Sequence, residues 1–235
     1  MEVAANDGNS HNVQHYGSIT GQWLIPSDTE PESDQLFQWE TLAGDIVSHQ
    51  MSLQNQTQFR EVGGRPRYGS VVYSTKQVCS VSSCTKFCRS FINVFQINGV
   101  TYQVGENTAV RQGFMTNGSL SNTVDSQFRA IDANWTVFGF GHDLGVVGPT
   151  STMTTPVVYN IGYVRDPLAQ LLNIPNVNSL RGSYYLTRYN NTSDLVGLLY
   201  TFRASGTYAT SPLRSLHSLM TTPMPWHARR ISTIA

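Results

Sequence analysis

Charge is scarce in this 235-residue chain: only 13% of its side chains are Asp, Glu, Lys or Arg, and 15 basic residues balance 15 acidic ones. A surface without a cationic surplus is poorly suited to nucleic acid or to an anionic membrane, because both are held by excess Lys and Arg. Neither partner is expected. Lysine is nearly absent, occurring only at Lys76 and Lys86, and cysteine is confined to Cys79, Cys84 and Cys88. An odd number of cysteines in one short stretch argues against a disulfide framework. No apolar run approaches the roughly 20 residues of a membrane-spanning helix. The start, Met1 to Gly8, has neither the basic beginning nor the apolar centre of a signal peptide. The expectation is that the chain either is not exported or lacks its natural start. Catalytic signatures are missing too: there is no phosphate-binding loop, no Gly-x-Ser-x-Gly elbow and no His-Glu-x-x-His. No cofactor is expected.

Asn, Gln, Ser and Thr do the solvating that charged residues do elsewhere, a pattern common in extracellular β proteins and viral capsids. Asn-x-Ser/Thr occurs at Asn55, Asn117, Asn134, Asn190 and Asn191, which are candidate glycosylation sites and favour export. The length is enough to bury a sizeable core as one large domain.

Apolar residues alternate with polar ones along many short segments, the period of a half-buried strand. Candidate strands are Val13–Tyr16, Gly21–Ile25, Leu36–Glu40, Ile46–Leu53, Tyr68–Ser74, Val100–Val104 paired with Thr108–Gln112, Trp135–Phe140, Pro156–Val164 and Ser183–Arg188. Two short helices are predicted. One starts at Asp166, with Pro167 at its first position, and runs to Leu172. The other covers Ser193–Tyr200, with an apolar face at Leu195, Leu198, Leu199 and Phe202. Many short strands, frequent turns and few helices predict a mainly β fold, a large antiparallel β-sandwich with one or two short helices.

Two segments look foreign to the rest. Residues 76–98 hold both lysines and all three cysteines. The tail, residues 201–235, loses all periodicity and reads as poorly packed or disordered. The domain proper is therefore expected to span 1–200.

Four constellations could carry chemistry or binding, each with a structural alternative. Three thiolates at Cys79, Cys84 and Cys88 could bind zinc, but their spacing matches no common knuckle and no His lies beside them. Phe138-Gly139-Phe140-Gly141-His142-Asp143-Leu144-Gly145 sets His142 and Asp143 at a strand end. An active pair would need a nucleophile or metal that the sequence does not name, whereas Gly and Asp are ordinary turn formers. Arg165 and Asp166 could clamp a ligand or meet an interface, but such an Arg more often orders a loop. Trp23, Trp39 and Trp135 could stack on sugars, although aromatics at strand spacing more often fill a core.

Several strings resemble the N-terminal β domain of the fungal glutaminase A family. They begin with Leu53-Gln54-Asn55-Gln56-Thr57-Gln58-Phe59-Arg60-Glu61-Val62 and Tyr68-Gly69-Ser70-Val71-Val72-Tyr73-Ser74-Thr75. Gly99-Val100-Thr101-Tyr102-Gln103-Val104-Gly105, Val137 to Gly145 and Gly162-Tyr163-Val164-Arg165-Asp166-Pro167 follow in the same order, and Arg181-Gly182-Ser183-Tyr184-Tyr185 closes the series. The resemblance covers roughly Val3 to Tyr200. It implies a β-sandwich preceding a larger, mostly helical domain, in a secreted amidohydrolase that releases ammonia from L-glutamine. Catalysis is expected in the helical part. No catalytic residue is carried onto this chain, which is expected to be a truncated member whose partner is that missing domain.

The departures from the family pattern fall on the two foreign segments. By resemblance Thr75 should run almost directly into Gly99. Val78-Cys79 is compatible with a translated GTATGT, a common fungal intron start, so 76–98 is expected to be an aberrant insertion and 201–235 a splicing or frame error. A viral jelly-roll capsid protein and a carbohydrate-binding sandwich module are the competing readings of the composition.

Overall fold

The computed structural model describes residues 3–24, 36–76, 99–130, 133–149, 157–171, 179–187 and 189. Cys79, Cys84, Cys88, Asn190, Asn191, the side chain of Trp23, the helix expected at Ser193–Tyr200 and the tail 201–235 lie outside the described residues. In chain order the elements are β1 (His11–Thr20), β2 (Phe37–Leu42), β3 (Ile46–Leu53), β4 (Glu61–Val62), β5 (Arg65–Pro66), β6 (Ser70–Lys76), β7 (Val100–Glu106), α1 (Asn107–Asn117), β8 (Thr123–Val124), β9 (Thr136–Val147), β10 (Tyr159–Val164), β11 (Ala169–Leu171) and β12 (Ser179–Arg181).

Among the described residues these strands form two four-stranded sheets, β1-β9-β7-β8 and β10-β6-β3-β2, plus the hairpins β4-β5 and β11-β12. Pairing is antiparallel throughout except between β7 and the two-residue β8. The fold is mainly β, and the two sheets face each other as a sandwich.

The cause is visible in the alternation. On β2, Phe37 and Trp39 are buried while Gln38 and Glu40 are exposed. Strand side chains alternate between faces, so such a pattern commits one face to a core. Trp39 stands opposite Met51, and Met51 opposite Val71, so one inward row crosses the β2-β3-β6 sheet. Val47, Leu53 and Tyr73 extend that face, and Val100, Val104, Phe138 and Phe140 meet it from the other sheet in a single cluster. Each such side chain contributes roughly 1.5–3 kcal/mol when fully buried. β9 is buried on its outer face as well, where Val137 packs with Val110 and Leu120, flanked by Tyr16 and Phe114.

Four local expectations are corrected. Thr108–Gln112 is not a strand but part of α1. Glu106 caps it, accepting from the N–H groups of Thr108 and Ala109 at 2.8 Å each, and Gly118 closes it at φ 68 by donating to the Phe114 carbonyl. Five residues of alternation cannot separate strand from helix, whereas the four-residue spacing of Val110 and Phe114 lays both on the sheet. Asp166–Leu172 is not a helix. Its carboxylate accepts from Ser183 N (3.3 Å), and Leu168 N donates to the Arg181 carbonyl (2.7 Å), which feeds the chain into β11. Gly21–Ile25 is not a strand, because Leu24 N turns back onto the Gly21 carbonyl (2.9 Å) in a 3-10 turn at Gln22–Leu24. Ser183–Arg188 likewise gives a 3-10 turn at Tyr184–Thr187, where Leu186 N reaches the Ser183 carbonyl (3.0 Å).

Candidate functional site

The polar groups with chemical potential fall in two places. The first is a set of histidines between the sheets. His49 lies on β3 at an inward position and is fully buried. Its Nε2 lies 3.3 Å from the Gly139 carbonyl and its Nδ1 2.8 Å from Thr41 Oγ1. A carbonyl only accepts, so Nε2 carries the proton and Nδ1 accepts from the threonine hydroxyl, which makes the ring neutral. The imidazole stacks on Phe140, with centroids 4.5 Å apart. Burial holds its pKa down to about 4, against a smaller opposing effect of the Gly139 carbonyl.

His142, on β9, is buried as well. Its Nε2 is 3.1 Å from Thr75 Oγ1, and that hydroxyl spends its only proton on the Val158 carbonyl at 2.9 Å. Nε2 therefore donates to Thr75. Burial first, then the neighbouring His15, holds the His142 pKa down to about 4. His15 stands directly opposite His142 across the β1–β9 pair, and both rings lean on Tyr159 at 5.7 and 5.5 Å. A general base works best with a pKa near the operating pH and within reach of substrate. His49 and His142 are buried and neutral, and their hydrogen bonds link strands of the interior.

Asp143 turns away from His142. Its Oδ1 accepts from Gly145 N at 2.9 Å, and Leu144 is the extra residue of a β-bulge, since Val13 pairs with Gly145 and Gln14 with Asp143. His142 also marks where the chain flanking 77–98 comes together. Thr75 touches its ring, Val100 pairs with its backbone, and Asp143 N donates to the Gly99 carbonyl at 3.1 Å.

The second place is at the opposite end, where Arg165 and Asp166 are brought together with Tyr68, Tyr163 and Ser183. The Ser183 hydroxyl donates to the Arg165 carbonyl and the Tyr163 hydroxyl to the Tyr68 carbonyl. Tyr68 in turn donates to the Pro167 carbonyl at 2.9 Å, and the Arg165 guanidinium lies over the Tyr163 ring at 5.5 Å. Gly69, at φ 115, makes the crossing possible: a Cβ there would lie 2.6 Å from Arg165 Cγ. This polar clamp ties the β11–β12 hairpin to the sandwich.

The tryptophans separate. Trp39 is 6% exposed, donates through Nε1 to the Asp125 carbonyl (2.7 Å) and meets Phe128 edge-on at 5.0 Å. Trp135 is 45% exposed, on a turn where both it and Asn134 have positive φ. Asn55, Asn117 and Asn134 are all exposed, after β3, at the end of α1 and before β9. Among the described residues no group of three or more His, Cys, Asp or Glu gathers as a metal site. None of the helices there is long and apolar enough to cross a membrane. The sequence did not single out His49, although its place in the alternating run Ile46–Leu53 puts an imidazole on the inward face. Arg67, buried beside Thr57 and Arg60, gives no comparable signal.

Fold and interior together define an antiparallel β-sandwich domain whose buried histidines, His49 and His142, hydrogen-bond within the domain. The chain belongs to the family described as "Domain of unknown function (DUF5127)", whose model matches residues 1–210. It is 28% identical over 193 residues to a protein named Glutaminase A from Aspergillus oryzae (strain ATCC 42149 / RIB 40), a match that covers 80% of this chain and 24% of that protein. The domain is thus a glutaminase A-like N-terminal domain. The chain spans about a quarter of the length of the curated relative it matches. No solved structure matches it.

Proposed function

We propose that this chain is the non-catalytic N-terminal β domain of a secreted glutaminase-type amidohydrolase, which packs on a helical catalytic domain of the same polypeptide. The similarity to about a quarter of a protein named Glutaminase A carries this reading. The character of the interior supports it: the histidines best placed for chemistry, His49 and His142, are buried with their protons committed to Gly139 and Thr75. The exposed Asn55, Asn117 and Asn134 sequons suit an extracellular protein. Ammonia release from L-glutamine tests the assignment. The chain alone is expected to give none, while the chain joined to the remainder of a relative is expected to give turnover. Turnover by the chain alone overturns the non-catalytic role.

The segment 76–98 belongs to the same proposal as an insertion foreign to the domain. Its flanks converge on His142, as they would if Thr75 and Gly99 were close neighbours in an uninterrupted chain. Sequencing of mature transcripts tests this, and a contiguous frame through 76–98 in every transcript overturns it.

A further inference from the structure

We infer that the β11–β12 hairpin and the adjoining Phe59 turn form the surface on which the following part of the longer polypeptide docks. This rests on the reading of the chain as one domain of a larger protein, and it names the face.

Among the described residues, four of the twelve exposed large apolar side chains fall in one short stretch. Leu168, Leu180, Tyr184 and Leu186 are 49%, 50%, 54% and 36% exposed, and all four fall within the hairpin and the 3-10 turn after it. Register explains the clustering. Gln170 pairs with Leu180, so Leu168 and Leu180 are diagonal neighbours on one face of the hairpin. The hairpin is fastened to the sandwich through polar atoms, by Tyr68 to Pro167 and by Ser183 to Arg165 and Asp166. The leucines are therefore left facing outward.

Phe59 extends the patch. Its ring lies 5.9 Å from that of Tyr68, the residue that binds Pro167. Phe59 is 38% exposed and has φ 58, a left-handed conformation that side-chain-bearing residues avoid. Such backbone persists only where the surrounding structure holds it, and contiguous exposed apolar patches mark interaction sites.

Position selects the occupant. β12 ends at Arg181, the family match ends at 210, and the similar Glutaminase A is about four times the length of the matched region. Tyr189, the last described residue, follows this hairpin and its 3-10 turn, so in a polypeptide of that length the patch and whatever follows it share one chain, at high effective concentration. The complementary surface is apolar and uncharged, matching the aliphatic and aromatic side chains presented here.

Hydroxyl-radical footprinting tests the assignment. The isolated chain is compared with a chimera in which it replaces the matching quarter of the Aspergillus oryzae protein. Labelling of Leu168, Leu180 and Tyr184 is expected to fall by roughly threefold or more in the chimera, as for side chains that enter an interface core. Labelling of Met115, on α1, is expected to stay unchanged. If no site is protected in the chimera, the two parts do not pack and the larger reading falls as well. Protection elsewhere with the hairpin still labelled keeps the larger reading and overturns the docking face. A hairpin already protected in an isolated chain that sediments as a dimer assigns the patch to self-association and overturns the proposal. Should the chimera not fold, the same comparison on the Aspergillus oryzae protein, intact against its isolated matching region, reads the aligned hairpin and decides in the same way.

Discussion

The two ends of this sandwich are finished by opposite means. At one end His142, Thr75, His15 and Tyr159 turn inward, and the buried His142 imidazole hydrogen-bonds to Thr75 of the same domain. At the other end a clamp of hydroxyls and carbonyls spends its polar atoms on the hairpin, and the apolar side chains of Leu168, Leu180 and Tyr184 point out. Burying polar groups requires partners, and the histidine end draws those of His142 and Thr75 from within the domain. The exposed leucines and tyrosine of the other end offer apolar surface instead. Under the docking proposal, polarity closes one end and leaves the other for contact.

The largest effect should come from the shared centre. Phe140 packs against His49 and Tyr73 and is fully buried. Phe140→Ala is expected to cost about 3–5 kcal/mol, the usual range for a buried aromatic, in urea denaturation followed by far-UV circular dichroism. A loss below about 1 kcal/mol, the scale of a surface change, would show that the two ends are not held by one core.

Acid should act first on the histidines; Glu106, whose pKa the N–H groups of Thr108 and Ala109 hold low, responds further down. His49 and His142 have folded pKa values of about 4 against an ordinary 6.5. Below pH 6.5 the unfolded chain takes up protons that the folded chain refuses. Their contribution to stability is therefore full above pH 6.5, is lost as pH falls towards about 4, and levels off below that. At about 1.4 kcal/mol per pKa unit, one such histidine accounts for roughly 3 kcal/mol. Urea midpoints at pH 7, 5.5 and 4 measure the slope, and His49→Gln should flatten it. A slope unaltered by removing His49 would assign the acid sensitivity to other groups.

The hairpin end should answer to backbone shape instead. Gly69→Ala places a Cβ 2.6 Å from Arg165 Cγ on backbone at φ 115. A cost of roughly 1–2 kcal/mol is expected from the disfavoured conformation, with the first loss of protection in hydrogen exchange at β11–β12. Loss first at β1–β9 would invert the comparison.

How much of this was legible in the sequence depends on what each element leans on. β2 and β3 could be read because Phe37-Gln38-Trp39-Glu40 and the run Ile46–Leu53 alternate over enough residues to commit a face. α1 could not: its N-cap is Glu106, outside the usual Ser, Thr, Asp and Asn, and its five most suggestive residues also fit a strand. β11 was hidden because Asp166 looks like a helix cap until Ser183, seventeen residues on, claims its carboxylate. Local patterns carried the core and His142. Long-range hydrogen bonds carried the clamp and the outward leucines, and no window of sequence displays those.

The smallest effect is expected where 77–98 leaves and re-enters the fold. Thr75 and Val100 lie on facing sheets at His142. Packed sheets are about 10 Å apart, and an extended chain covers about 3.3–3.6 Å per residue. Joining Lys76 directly to Gly99 leaves three steps between Thr75 and Val100, about 10–11 Å, just enough to cross. Shortening a connection lowers the entropy of closing it, while the histidine end keeps the partners described for it. Deletion of 77–98 should therefore leave the urea midpoint within about 1 kcal/mol of the parent, with the His142 imidazole still buried and titrating near 4 by NMR. If deletion unfolds the domain or releases His142 to an ordinary pKa, this end is not self-sufficient, and the contrast with the hairpin end is lost.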